Sequence, residues 1–145
     1  MPEVRAKKAL GQHFLTDLNI ARKICDSLTE RADGDPEAVL EVGCGMGVLT
    51  QYLLQRGDII TYGAEIDSES VEYLNVHYPD FTPRLIEGDF LKMNLQERFP
   101  DGVRVIGNFP YNISSQIFFK IIENRDLVPQ CVGMIQKEVA VRIAE

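Results

Sequence analysis

The sequence predicts an α/β fold: a doubly wound, mainly parallel sheet with helices on both faces. Three observations favour this class. Short apolar runs alternate with amphipathic stretches along the chain, glycines follow the first apolar run, and polar residues follow several others. Strands that alternate with helices are joined by right-handed crossovers, which make neighbouring strands parallel and cover both sheet faces. With 145 residues, 45% of them hydrophobic, the chain can form one domain with a buried core.

The first predicted element is a helix over residues 18–28. Its apolar residues recur at helical spacing: Ile20, Ile24 and Leu28. Thr16 or Asp17 precedes this pattern and supplies a capping side chain.

Strands and helices then alternate. Five apolar runs are predicted as strands, at 38–43, 59–66, 84–89, 103–108 and 131–136. Four amphipathic stretches are predicted as helices, at 48–57, 68–78, 114–124 and 137–145. Gly57 ends the first of these helices, Ser68 caps the second and Pro79 stops it. The last helix reaches Glu145 without a stop signal, so we expect the sequence to continue in a longer protein.

Composition argues against several classes of protein. No apolar run approaches the length of a membrane span, and the basic N-terminus lacks the apolar stretch of a signal peptide. Cys25, Cys44 and Cys131 form no CxxC pair, which indicates reduced thiols in a cytoplasmic protein. His13 and His77 lie far apart without metal-ligand spacing, so we expect no metal.

The net charge of −7 argues, on its own, against a nucleic-acid partner, because phosphate contacts need Lys and Arg. The positive charges are unevenly distributed, however, and several gather near the start of the chain: Arg5, Lys7, Lys8, His13, Arg22 and Lys23. A local basic edge on an acidic body is compatible with binding phosphates.

Glycines follow the first predicted strand in "LEVGCGMGVLT". Gly43, Gly45 and Gly47 form a GxGxG pattern between a strand and a helix, which we call the glycine loop (residues 43–47). The dinucleotide fingerprint GxGxxG would need a glycine where Val48 stands. Such a loop lets backbone N–H groups approach a ligand closely, although glycines also serve simply to pack a strand against a helix.

Acidic residues end the next two strands. Glu65 closes the second strand about 20 residues after the glycines, where an acid can accept from both hydroxyls of a ribose. Asp67 is a neighbouring candidate, or a residue that precedes the helix cap. Asp89 closes the third strand and can accept from the amine of an adenine ring, with a turn-forming role as the alternative.

The fourth strand ends in "GNFPY". The Asn108 side-chain oxygen and the Phe109 carbonyl, held by the kink before Pro110, can both accept from an amino group, and Tyr111 can stack on a flat ring. The alternative is a loop in which Asn108 and Pro110 form a turn and both rings belong to the core. Taken with the other strand ends, the motif favours a grip on a planar ring through its amino group.

These stretches resemble S-adenosylmethionine-dependent methyltransferases with a Rossmann-like sheet and, more narrowly, the ribosomal RNA adenine N6,N6-dimethyltransferases. The resemblance extends over nearly the whole chain, through "KKALGQHFLTD", "LEVGCGMGVLT", "GAEID", "EGDFL", "GNFPYNISSQI" and "MIQKEVAVRI". Many methyltransferases share the glycine loop, and "NFPY" indicates methylation of an amino group. The combination of "GQHFL", "NFPYNIS" and "QKEVAVRI" is the specific part.

The resemblance implies a cofactor, S-adenosylmethionine, and a set of residues that bind it: Gln12, His13, Leu15, Gly43, Gly45, Glu65, Asp89 and Asn108. In this reading Gly43 and Gly45 face the methionine part, Glu65 holds the ribose and Asp89 pairs with the adenine amine. The implied catalytic residues are Asn108, Phe109 through its carbonyl, and Tyr111, which stacks on the extruded target base.

The resemblance also implies the domain organisation and the function. Residues 1–145 would form the S-adenosylmethionine-binding catalytic domain, with 1–16 as an N-terminal arm, truncated before the last strands and before a helical RNA-recognition domain. The implied function is dimethylation of adenines in small-subunit ribosomal RNA, on precursors of the small ribosomal subunit, in the cytoplasm and without a membrane. Four alternatives stay open: a large-subunit adenine methyltransferase of the antibiotic-resistance type, a non-catalytic RNA-binding or assembly factor, a DNA adenine methyltransferase and a nicotinamide dehydrogenase.

Overall fold

A computed structural model of the protein describes residues 18–29, 36–109 and 112–135. Five strands form one sheet in the order β3-β2-β1-β4-β5, and all four neighbouring pairs are parallel. The strands are β1 Glu37–Val42, β2 Ile59–Glu65, β3 Leu85–Glu87, β4 Arg104–Phe109 and β5 Cys131–Ile135. The predicted fold class and all five predicted strands are therefore confirmed, with bounds that shift by a few residues.

Helices connect the strands. They are α1 Leu18–Asp26, α2 Thr50–Leu53, α3 Ser68–His77, α4 Leu95–Arg98 and α5 Ser114–Glu123. The sequence did not predict α4, nor two 3-10 helices at Pro79–Arg84 and Phe90–Lys92. The helix predicted over 48–57 contains only the four residues of α2, with turns before and after it. The helix predicted over 137–145 and the predicted cap at Thr16 or Asp17 lie outside the described residues.

Apolar layers cover both faces of the sheet. Along β1, successive side chains point to opposite faces, so Leu40 and Val42 pack in the layer that contains α4 and α5. Val39 packs in the other layer, with α1 and α2. Helices cover both faces of the sheet, as predicted. The two ends of the strands are therefore the parts of the sheet that these helices leave uncovered.

The buried face of α1 differs from the prediction. Ala21 and Cys25 are the buried residues of the helix, followed by Leu28 just beyond its end, whereas Ile20 is 41% exposed. Small side chains let the helix axis approach the sheet closely, so the helix turns Ala21 and Cys25 toward the core.

One face of α5 packs against the sheet. Ile117 and Ile121 are buried, whereas Phe119 is 65% exposed and Ile122 is 56% exposed. At 100° per residue, one face holds Ile117 and Ile121 and cannot also hold Phe119 and Ile122.

The cap of α3 is Asp67, not Ser68 as predicted. The Asp67 carboxylate accepts from the Ser70 main-chain N–H at 3.1 Å and from its hydroxyl at 2.8 Å. An aspartate with extended backbone satisfies an N–H group that the first turn leaves unpaired.

No helix in the described part of the chain is long and apolar enough to cross a membrane. The three cysteines, Cys25, Cys44 and Cys131, are free thiols, as predicted.

The strand register brings the carboxyl ends of the inner strands to one level. Val42 of β1 lies opposite Ala64 of β2, and Glu65 lies opposite Glu87 of β3. On the other side of β1, Glu41 lies opposite Ile106 of β4. We call this side of the sheet the carboxyl edge and the opposite side the amino edge.

Candidate functional site

The glycine loop turns the chain sharply from β1 toward α2. Gly43, Gly45 and Gly47 have φ angles of +75°, +55° and +83°, in the region that L side chains rarely adopt. At Gly47 space is also restricted, because a Cβ atom would lie 2.7 Å from the ring of Tyr78. The ring of Tyr78 therefore packs against the loop at Gly47.

Glu65 connects the end of β2 to the glycine loop. Its side chain is 1% exposed, its Oε1 accepts from the Gly45 N–H at 2.7 Å, and its Oε2 accepts from the Asp67 N–H at 2.9 Å. Burial raises the pKa of Glu65, and the two N–H donors oppose that shift. Each carboxylate oxygen has a second lone pair, so Glu65 retains capacity for ligand hydroxyls.

Asp89 follows β3 and caps the short 3-10 helix Phe90–Lys92. Its Oδ1 accepts from the Leu91 N–H at 2.9 Å, which confirms the turn-forming alternative. Because this bond uses one oxygen, the other can still accept from a ligand. Lys120 of α5 lies nearby, and its ammonium donates to the Met93 carbonyl. Burial lowers the pKa of Lys120, and the charge of Asp89 opposes that shift.

One cavity of about 150 Å³ lies at the carboxyl edge and joins three of the predicted residues. Gly43, Glu65 and Asp89 all line it. The prediction did not include Ile66 and Asn112, which also line this cavity. Ile66 is 54% exposed beside Glu65, an arrangement that suits contact with a flat apolar surface.

Asn108 is not among the residues that line this cavity. It is half-buried near the end of β4, two residues beyond Ile106, which lies opposite Glu41 of β1. The backbones of β1 and β4 approach closely here, because a Cβ atom on Gly107 would lie 2.6 Å from the Val42 carbonyl oxygen.

The ring of Phe109 belongs to the core. It is fully buried, meets Phe118 edge to face at 5.6 Å, and lies where a Cβ atom on Gly133 would approach it to 2.3 Å. The ring cannot stack on a ligand from there, and only the predicted role of the carbonyl remains open to Phe109.

Four predicted site residues fall outside the described residues: Gln12, His13, Leu15 and Tyr111. The N-terminal arm predicted over 1–16 falls outside them as well. Their predicted roles stay predictions.

Sequence reasoning did not identify Glu41, a second buried carboxyl behind the loop. Glu41 is 1% exposed, and its Oε1 accepts from the Thr50 hydroxyl. Burial and the nearby charge of Glu65 raise the pKa of Glu41 to about 8, although the bond from Thr50 opposes the shift. The available signal was an acidic residue inside the apolar run "AVLEV".

The electrostatics of the site suit a positively charged ligand. Within the described ranges, Glu65 accepts only from main-chain N–H groups, and the groups that shift the pKa of Glu41 include no lysine or arginine. The same part of the chain contains no His, Cys, Asp or Glu cluster that could hold a metal ion. The acceptor groups at this edge therefore suit a cation that also carries hydroxyl and amino groups, as S-adenosylmethionine does.

Known sequences similar to this chain are named as methyltransferases of ribosomal RNA. The family model described as "Ribosomal RNA adenine dimethylase" matches residues 3–145. The protein named ribosomal RNA small subunit methyltransferase A from Porphyromonas gingivalis is 54% identical, over 99% of this chain and 55% of the relative. The protein of the same name from Parabacteroides distasonis is 56% identical, over 97% of this chain and 52% of the relative. The chain thus spans about half the length of the curated relatives it matches.

Solved structures show the same fold. The 23S rRNA methyltransferase ErmE superposes with a TM-score of 0.70 at 26% identity, over 88% of this chain and 50% of that chain. A putative RNA methyltransferase from Pyrococcus horikoshii superposes with a TM-score of 0.69 at 23% identity, over 99% of this chain and 73% of that chain.

Proposed function

The chain belongs to the ribosomal RNA adenine dimethylase family, and from this premise we propose that it transfers methyl groups from S-adenosylmethionine to N6 of adenines in small-subunit ribosomal RNA. The observation that carries the proposal is the cavity at the carboxyl edge, lined jointly by Gly43, Glu65 and Asp89. Ligands of open parallel sheets bind at this edge. In this proposal residues 1–145 form the cofactor-binding catalytic domain, with 1–16 as its arm and a helical RNA-recognition domain beyond.

Cofactor binding is assigned to the predicted residues. Glu65 accepts from the ribose hydroxyls through lone pairs that Gly45 and Asp67 leave unused. Asp89 accepts from the adenine amine through the oxygen that Leu91 does not use. The segment with Gln12, His13 and Leu15 is assigned to lie across the cofactor, and Gly43 and Gly45 to face its methionine part.

When bound, S-adenosylmethionine supplies a methyl group that is already activated on a sulfonium. The protein therefore needs no nucleophile of its own, and its task is to orient a weakly nucleophilic amine. Asn108 and the Phe109 carbonyl accept from the two N–H bonds of the adenine amine, which directs the nitrogen lone pair toward the methyl carbon. Tyr111 stacks on the extruded base.

We prefer the small-subunit proposal to the large-subunit alternative because the sequence identity to small-subunit relatives is higher. Relatives named for the small subunit are 54% and 56% identical to this chain, whereas the 23S rRNA methyltransferase ErmE is 26% identical. We place the reaction on precursors of the small ribosomal subunit, in the cytoplasm, without a metal or a membrane partner.

The test uses a chimera, because the chain spans about half of its relatives. Residues 1–145 are joined to the remaining half of the Porphyromonas gingivalis relative. The chimera is incubated with labelled S-adenosylmethionine and small ribosomal subunits from a strain without this modification, and the labelled nucleotides are mapped. We expect label on adenine N6 of small-subunit RNA.

Large subunits from the same strain serve as the matched control. Label confined to the large subunit would replace the proposal by the antibiotic-resistance alternative. Tight binding of S-adenosylmethionine without transfer to either subunit would instead favour the non-catalytic assembly factor.

A further inference from the structure

Glu41 is a buried carboxyl to which the proposed function gives no role. Its Oε1 accepts from the hydroxyl of Thr50, the first residue of α2. Because Glu41 lies at the end of β1, this bond ties the strand to the helix on the far side of the glycine loop. Glu41 thus fixes both ends of the segment that approaches the cofactor.

Within the described residues, the titratable groups that face Glu41 from the surrounding elements include no base. They are Cys25 of α1, Cys44 of the glycine loop, Glu65 of β2 and Tyr78 after α3. Burial raises the pKa of the Cys25, Cys44 and Tyr78 side chains, so these three are uncharged near neutral pH. Burial also raises the pKa of Glu41, and the charge of Glu65 adds to that shift, while the contacts with Thr50 and Cys44 oppose it. Of the four groups, Glu65 is therefore the one whose charge opposes a negative charge on Glu41.

Arg56, a basic side chain near this cluster, is paired with Asp58. Arg56 donates to the two carboxylate oxygens of Asp58 at 2.9 and 2.6 Å, and also to the carbonyls of Cys25 and Leu28. Burial raises the pKa of Cys25, and the charge of Arg56 opposes that shift. Arg56 is not among the groups that shift the pKa of Glu41. In the part of the chain that the structure describes, Glu41 is fully buried and has no cationic partner, which favours its neutral form.

We propose that Glu41 is a positioning residue that carries a proton in the ligand-free protein and releases it to solvent when a cationic ligand binds at the glycine loop. Throughout, Oε1 continues to accept from the Thr50 hydroxyl, so the loop keeps its anchor. The inference rests on the proposed function, since S-adenosylmethionine is the ligand that brings the positive charge. The negative charge of Glu41 then exists only while the cation balances it.

The direction of the pH dependence follows from this linkage. The ionised form of Glu41 attracts a cation and the protonated form does not, so affinity rises with pH until it levels off above the pKa of about 8 in the ligand-free protein. One coupled proton changes the dissociation constant by at most about tenfold per pH unit.

The first experiment titrates the 145-residue chain with S-adenosylmethionine by calorimetry at pH 7, in two buffers with different ionisation enthalpies. The difference in heat gives the number of protons released. We expect clear release by the wild-type protein and a markedly smaller release by Glu41→Gln, whose amide oxygen still accepts from Thr50. Equal release by both proteins would overturn the inference, and so would no release by the wild type, a result that does not depend on the variant's folding.

The second experiment needs no ligand and measures the free energy of unfolding between pH 6 and 9. A carboxyl with a raised pKa in the folded state stabilises the protein at low pH, and that contribution is lost as the pH rises through about 8. We expect this decline in the wild type and in Glu87→Gln, which alters an exposed carboxyl, and a flatter profile in Glu41→Gln. Parallel profiles would overturn the protonation of Glu41.

The two experiments separate the two proposals. A wild-type protein that does not bind S-adenosylmethionine contradicts the proposed function and the release step together, while its stability profile still decides whether Glu41 carries a proton.

Discussion

The two edges of the sheet treat their buried charges in opposite ways. At the amino edge, Arg104 is 4% exposed, and its guanidinium has a counter-charge: Nε lies 3.1 Å from Glu37 Oε2 as an ion pair, and Nη1 donates to the Thr29 carbonyl at 2.7 Å. Nε and Nη2 make no hydrogen bond within the described residues. At the carboxyl edge, Glu41 and Glu65 are equally buried, yet no described lysine or arginine is paired with either carboxyl. A buried charge paired within the protein serves the fold, whereas a buried carboxyl without a counter-charge can respond to the charge of a ligand.

Volume alone would select the other edge. The amino edge holds a cavity of about 560 Å³, lined in part by Glu37, Asp101, Arg104 and Asp126, against about 150 Å³ at the carboxyl edge. The larger cavity is also lined by a glycine with a positive φ angle, Gly102 at +99°, but Arg104 balances part of its acidic lining. The smaller cavity is lined by Glu65 and Asp89 and by no basic residue, so its charge suits a cation better than that of the larger cavity does.

The largest effect is expected at the carboxyl edge for Asn108→Ala. Loss of an acceptor for the target amine should lower methyl transfer by the chimera roughly 100- to 1,000-fold, with an unchanged circular dichroism spectrum. Transfer of labelled methyl to small ribosomal subunits measures this. Asn75→Ala, on the exposed side of α3, is the control, and near-normal turnover by Asn108→Ala would refute the proposed mechanism.

At the amino edge, Arg104→Met should affect stability instead of binding. Removing the guanidinium takes away one ion-pair partner of Glu37 and the donor to the Thr29 carbonyl, so we expect a loss of about 3 kcal/mol in the free energy of unfolding. Urea denaturation measures it, with the exposed Arg98→Met as the control. A large loss of S-adenosylmethionine affinity in a folded Arg104→Met protein would contradict the assignment of binding to the carboxyl edge and of stability to the amino edge.

Glu65→Ala should weaken S-adenosylmethionine binding about tenfold to a hundredfold. The substitution removes the proposed ribose acceptor and the partner of the Gly45 and Asp67 N–H groups. Calorimetry gives the dissociation constant. Glu87→Ala, the exposed carboxyl opposite Glu65 in the register, should leave it unchanged, and equal constants for both variants would contradict the ribose assignment.

A smaller effect is expected for Gly47→Ala in the glycine loop. The φ angle of +83° and the approach of Tyr78 to 2.7 Å should cost about 1 to 2 kcal/mol of stability. Gly57→Ala is the matched control, because a Cβ atom there meets nothing within 4 Å. Equal melting temperatures of the two variants would show that Tyr78 does not constrain the loop.

The sequence predicted the carboxyl edge well for a topological reason. Parallel strands bring their carboxyl ends together whatever the details of packing, so Gly43, Glu65 and Asp89 could be placed at one edge from the order of elements alone. Their separate partners could not be foreseen. Asp89 caps a 3-10 helix through one carboxylate oxygen, and the proposed contact with adenine uses the other oxygen.

What remained unpredicted depends on tertiary packing. The alternation of β1 gives the face on which Glu41 lies but not that α2 covers it, and α2 is only four residues long. The apolar pattern of α5 allowed more than one face, and the sheet selected the one with Ile117. Short 3-10 helices such as Pro79–Arg84 follow local turns and carry no periodic signal.

The most direct test of the contrast between the edges is an amide chemical-shift titration of the isotopically labelled chain with S-adenosylmethionine. We predict large shifts for the N–H groups of Gly43, Gly45, Glu65, Asp89 and Asn108, and unchanged positions for Glu37, Asp101 and Arg104. Shifts confined to the amino edge, or no shifts at either edge, would contradict the account.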